Sequence, residues 1–119
     1  MNRSRITVDV SLDEGNVPES IEWAASASSA EDTQRAKAMT VAFWDGQEKA
    51  AMRIDLWTKD MMVDEMADFY YQNLMGLADS FERATHQQEL VEDMKRFAKN
   101  FYGKFRALQQ KTAEGGQGG

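Results

Sequence analysis

The sequence predicts an α+β fold: a four-stranded antiparallel sheet (ββββ) followed by two C-terminal helices packed on one face. Three observations predict it. Apolar and polar residues alternate through the first half of the chain. They recur at three- and four-residue steps through the second. The change of period falls within Ile54–Met66, IDLWTKDMMVDEM. Alternation is the side-chain period of a strand, and 3.6 is that of a helix. The 119 residues fit one domain of ordinary size. That domain is expected over residues 1–112. Residues 113–119, AEGGQGG, carry no large apolar group and four glycines, and are expected to form a disordered Gly-rich tail.

The first strand is Arg5 to Leu12, with Ile6, Val8, Val10 and Leu12 on one side and Arg5, Thr7, Asp9 and Ser11 on the other. DEGNVPES, with the only proline of the chain, reads as a loop. Ile21, Trp23 and Ala25 alternate with Glu22, Ala24 and Ser26 in a second strand. Ser26 to Gln34 is small and polar and reads as a loop with room for one helical turn.

A third strand spans about Ala36 to Trp44, with Met39, Val41 and Phe43 inward. A fourth spans Lys49 to Trp57, with Met52, Ile54 and Leu56 inward. Asp45-Gly46 between them is a hairpin signal, since both residues tolerate the positive φ of primed turns. One strand buries odd positions and the other even ones, so cross-strand partners must sum to an odd number. Any other register turns one apolar set outward.

The first helix begins near Asp60, a candidate N-cap with acids in its first turn. Its apolar stripe is Met66, Phe69, Tyr70, Leu74, Leu77 and Phe81. Thr85 and Gln88 fit a capping box and start a second helix. That helix has the stripe Leu90, Met94, Phe97, Phe101, Phe105 and Leu108, and ends near Gln110.

The composition excludes several chemistries. There is no cysteine, hence no disulfide and no thiolate metal site. A net charge of −6 argues against a nucleic-acid partner, which selects a basic surface. No apolar run reaches the roughly 20 residues of a spanning helix, so membrane insertion is not expected. The N-terminus has no signal-peptide run, and a cytoplasmic location is expected. Asp55, Asp60, Asp64, Glu65 and Asp68 form the densest carboxylate group. They lack the spacing and the turn glycine of a calcium loop, and read as an acidic helix start. His86, the only histidine, has no cysteine to pair with and sits beside Thr85, the expected helix cap, so no catalytic role is assigned to it. No catalytic residue, cofactor or metal ligand is assigned.

One surface stands out. Strict alternation puts Trp44 and Trp57 on the sheet face opposite the buried set, with Ala24, Ala38, Thr40, Ala42 and Ala51. Thr40, Ala42, Trp44, Ala51, Arg53, Asp55 and Trp57 are the candidate partner-binding face. A flat, small-residue surface flanked by tryptophans suits a protein partner or a second copy of the chain.

The segments NVPESIEW, AFWDGQEKAAMRIDLWTKDMMVDEM and ADSFERAT resemble the gliding-motility GldC family of the Bacteroidetes lineage, from about Val8 to Phe105. MRIDLWTKDM followed by VDEM is the most specific part. The family pattern commonly has proline where this chain has Met62, at a position that suits the first helical residue. The resemblance implies a small, non-enzymatic cytoplasmic accessory protein of the gliding machinery that acts through protein–protein interaction. It transfers no catalytic or cofactor residue. The alternative is a SecB-like chaperone that binds unfolded export clients, by analogy with the order of four strands and two helices.

Overall fold

A computed structural model describes residues 2–25 and 33–118, with side chains described to residue 112. The loop expected at Ser26 to Gln34 lies outside the described residues through residue 32. The chain divides into two compact units, Met1–Met61 and Met62–Gly119.

The first unit holds five strands: β1 Ile6–Leu12, β2 Pro18–Ala25, β3 Gln34–Ala36, β4 Ala38–Asp45 and β5 Ala50–Trp57. They form two antiparallel sheets, β1-β2-β3 and β4-β5, and not the single four-stranded sheet expected from the sequence. The cause lies at Lys37. The strand expected from Ala36 to Trp44 bends there and changes partner. Its first residue, Ala36, pairs with Ile21 of β2 as the end of β3, which also takes in Gln34, expected in the loop. Its C-terminal part pairs with β5 from Ala38↔Trp57 to Asp45↔Ala50. The Lys37 carbonyl accepts the Thr58 N–H at 2.7 Å, with the Thr58 hydroxyl 3.1 Å away. Thr58, just past β5, is 2% exposed. The next residue donates its N–H to the Pro18 carbonyl at 3.0 Å, at the start of β2. Thr58 and Lys59 therefore tie both sheets together by backbone bonds that a count of apolar residues does not reveal.

β2 begins at Pro18, earlier than the expected Ile21. Proline is tolerated at the first position of a strand. The β1–β2 register is regular from Ile6↔Ala25 to Ser11↔Ser20 and shifts before Leu12↔Pro18. Asp13 closes the connection by accepting the Gly15 and Val17 N–H groups at 2.8 and 3.0 Å. Asn16 takes the left-handed conformation there, at φ 63°. Val10, Ile21 and Ala36 share one row of the sheet, and Ile21 is the buried apolar residue of this unit.

The second unit is an antiparallel helical pair, α1 Val63–Thr85 and α2 Gln88–Gly118. The α1 N-cap is Met62 and not Asp60. Glu65 folds back to accept the Met62 N–H at 3.1 Å, which leaves Asp60 to Thr58. The capping box expected at Thr85 does not form. The Thr85 hydroxyl donates to the Phe81 carbonyl at 2.8 Å, and the Gln88 amide donates to Glu82 at 2.9 Å. His86 ends α1 in the left-handed conformation, its N–H on the Glu82 carbonyl at 2.8 Å. α2 continues past the expected end at Gln110.

The stripes read in the sequence are matched in part: Met66, Phe69, Leu74, Phe81, Met94, Phe101 and Phe105 are half-buried, but the fully buried positions are others. Ala67 and Ala78 are buried on α1, and Val91 and Ala98 on α2. Tyr71 stacks on Tyr102 with ring centroids 4.7 Å apart, and Lys95 meets Asp79 at 3.0 Å. Tyr70, Leu77, Leu90, Phe97 and Leu108, all expected inside, are exposed. Alanine lets two helices approach closely, and the large side chains that dominate a hydrophobic stripe then flank the seam.

Candidate functional site

The β4–β5 hairpin is built by its turn. Asp45 accepts the Gln47 and Glu48 N–H groups at 2.9 and 3.1 Å, and its carbonyl accepts the Lys49 N–H at 2.8 Å. The left-handed residue is Lys49, at φ 54°, and not Asp45 or Gly46. Asp45 thus acts through its carboxylate, as an Asx turn, and not through a tolerance of positive φ. The four-residue loop 46–49 sets cross-strand partners that sum to an odd number, as the alternation required. Trp44 faces Ala51.

This register brings the whole candidate set onto one face. Ala42↔Arg53 and Thr40↔Asp55 lie at its middle, between Trp44↔Ala51 at one end and Ala38↔Trp57 at the other. At about 3.4 Å per residue, the two tryptophans stand roughly 20 Å apart along the strands, on opposite strands. Trp44 is 69% exposed and Trp57 53%.

The polar centre is a closed network. Arg53 donates to both carboxylate oxygens of Asp55, Nε to Oδ2 at 3.1 Å and Nη2 to Oδ1 at 3.0 Å. Nη2 also donates to the Thr40 hydroxyl oxygen at 2.7 Å, and that hydroxyl donates to Asp55 Oδ1. The Arg53 guanidinium, and after it the Thr40 hydroxyl, hold the Asp55 carboxyl below its ordinary value. A guanidinium held in a fork has little side-chain freedom left to lose on binding.

The reverse face of the hairpin is apolar and also open to solvent. It carries Met39↔Leu56, Val41↔Ile54 and Phe43↔Met52, with Phe43 62% exposed and Met52 61%. Ala24, expected on the tryptophan face, lies on β2 in the other sheet.

Three of the carboxylates near the first helix are engaged in local hydrogen bonds. Asp60 accepts the Thr58 hydroxyl at 2.6 Å, Glu65 the Met62 N–H, and Asp64 the Glu65 N–H at 3.0 Å. Among the described residues no three His, Asp or Glu side chains converge as a metal site. His86 is exposed and serves to end a helix. A surface depression of about 340 Å³ is lined by Phe69, Gln72, Asn73, Gly76 and Leu77, all from α1. Sequence reading missed the Thr58–Lys59 tie. Its signal was a threonine directly after an apolar strand, with a lysine next to it and acids at Asp13 and Glu19. The Lys59 ammonium meets Glu19 at 3.1 Å and Asp13 at 3.2 Å, and these bonds raise its pKa.

Among the described residues no helix is long and apolar enough to cross a membrane. Residues 18–107 match the model of a family described as gliding motility-associated protein GldC-like. No curated protein and no solved structure gives a significant match. The matched span takes in both strands of the hairpin, the Thr58–Lys59 tie and the whole of α1.

Proposed function

Since the chain belongs to the GldC-like family of gliding motility-associated proteins, we propose that it is a non-enzymatic accessory protein of the gliding machinery. It acts from the cytoplasm by binding a protein partner through Thr40, Ala42, Trp44, Ala51, Arg53, Asp55 and Trp57. The observation that carries this reading is the pair of half-exposed tryptophans flanking an ordered Thr40–Arg53–Asp55 network on one hairpin face. Exposed tryptophan and arginine are the side chains that most often dominate the energy of protein interfaces. An extended partner segment could lie along the roughly 20 Å between the tryptophans, over the alanines.

Deletion of the gene in a gliding host is expected to slow colony spreading. The wild-type gene should restore it. A Trp44→Ala/Trp57→Ala variant that accumulates to the same level should not. Normal spreading in the deletion strain would overturn the gliding role, and full rescue by the double variant would overturn the face.

A second reading is a chaperone of the SecB type. The topological analogy behind it assumed one four-stranded sheet, whereas the strands form two sheets. What supports it is the open apolar row of Phe43, Met52 and Ile54 on the reverse face. It predicts suppression of aggregation of an unfolded client at stoichiometric ratios. Absence of that effect would remove it.

A further inference from the structure

β4 and β5 pair only with each other among the described residues, so each has one open edge. Folded proteins usually blunt such edges with proline, a bulge, shortness or lysine. The other sheet does so: β3 has three residues, and β1 has a register shift at Ser11/Leu12. β5, AAMRIDLW, has no proline, lysine, bulge or shortening, and its only charges, Arg53 and Asp55, are paired to each other. It is eight residues long and regular throughout its pairing.

We infer that two copies of the chain pair through the open edge of β5, antiparallel about a twofold axis at Ile54, to form a continuous four-stranded sheet. The register follows from two constraints. Residues directly opposite in an antiparallel pair share a face, so a self-pairing that keeps the apolar row on one side must place one residue opposite its own copy. Of these registers, centring on Arg53 or Asp55 sets like charges against each other. Centring on Ile54 sets Arg53 of each copy against Asp55 of the other. Ala51 then faces Trp57, Met52 faces Leu56, and Ile54 faces itself. On the tryptophan face each row across the sheet runs Trp44, Ala51, then Trp57 and Ala38 of the second copy, alternating large and small. β4 offers no such direction, since it has no ionisable residue between Ala38 and Trp44. Arg53 and Asp55, already paired within each chain, then meet the same pair of the other copy with signs alternating around all four groups, which selects a second copy as the occupant of this edge. The tryptophan face remains open and doubles in width, from two strands to four. The inference does not rest on the gliding reading.

Light scattering of the full chain tests it. The expected mass is twice the 13.5 kDa of one chain. Arg53→Asp alone and Asp55→Arg alone should each fall to the single-chain mass with an unchanged circular dichroism spectrum. An equimolar mixture of the two should regain the double mass, because each then presents the complement of the other. The chain has no cysteine, so Ile54→Cys reports the register directly. Paired Cα atoms about 4.5–5.5 Å apart suit a disulfide. Mild oxidation should give a covalent dimer for Ile54→Cys and none for Met52→Cys. Should a charge variant fail to fold, this crosslink decides alone. A single-chain mass for the unaltered protein with no Ile54→Cys crosslink would overturn the inference. So would a dimer that persists in both charge variants.

Discussion

At the scale of single residues, Thr58 and Lys59 join the two sheets of the first unit through their backbone N–H groups. The buried Thr58 hydroxyl donates its one proton to Asp60 at 2.6 Å, with the Lys37 carbonyl 3.1 Å away. Thr58→Val keeps the volume and the backbone bond but removes this donor, and should cost about 1–3 kcal/mol in urea unfolding. Asp13 belongs to the same tie. The Val17 N–H, with Lys59 and the Gly15 N–H behind it, holds its carboxyl below the ordinary value of 3.8. A depressed folded pKa contributes stability that is present above the unfolded value and lost as pH falls through the folded one. Stability should therefore drop below about pH 4, and Asp13→Asn should flatten that part of the profile. Lys59 behaves with the opposite sign. Its raised pKa contributes stability that is full below the unfolded value of 10.5 and lost as pH rises through the folded one.

At the scale of elements, the helical pair shows where an apolar stripe misleads. The positions expected inside were chosen for size, and the seam selects for smallness. Ala78 and Ala98 are both 0% exposed, while Leu77 is 58% exposed. Ala98→Leu should therefore cost about 1–3 kcal/mol by overpacking. Leu77→Ser should stay within about 0.5 kcal/mol of the parent, as surface changes usually do. Reading the stripe from hydrophobicity predicts the reverse order, so thermal melts of the two variants separate the alternatives. The α1–α2 corner gives a second test. His86 holds a left-handed conformation that costs a non-glycine residue roughly 1 kcal/mol, so His86→Gly should raise the melting temperature. A loss would show that the imidazole makes a compensating contact.

At the scale of the whole molecule, the exposed surface is apolar on several elements at once. Trp44, Trp57, Phe43 and Met52 in the first unit, and Phe97 and Leu108 in the second, are all more than half exposed. Trp44→Ala/Trp57→Ala should leave the unfolding free energy within about 1 kcal/mol, since little burial is lost. The same variant should lose its partner in crosslinked affinity purification from the host. Sequence alone determined the strand-then-helix order, the parity of the β4–β5 register and the grouping of Thr40, Ala42, Trp44, Ala51, Arg53, Asp55 and Trp57 on one face. These follow from periods of 2 and 3.6, which every local stretch obeys. Only the tertiary structure decided that the strand expected from Ala36 to Trp44 bends at Lys37 and serves two sheets. It also decided that the fully buried positions of the helical seam are Ala67, Ala78, Val91 and Ala98, with the larger stripe residues half-buried or exposed beside them, and that Met62 rather than Asp60 caps α1. Each of these depends on which distant group meets a given backbone N–H or carbonyl, and sequence patterning carries no record of that pairing.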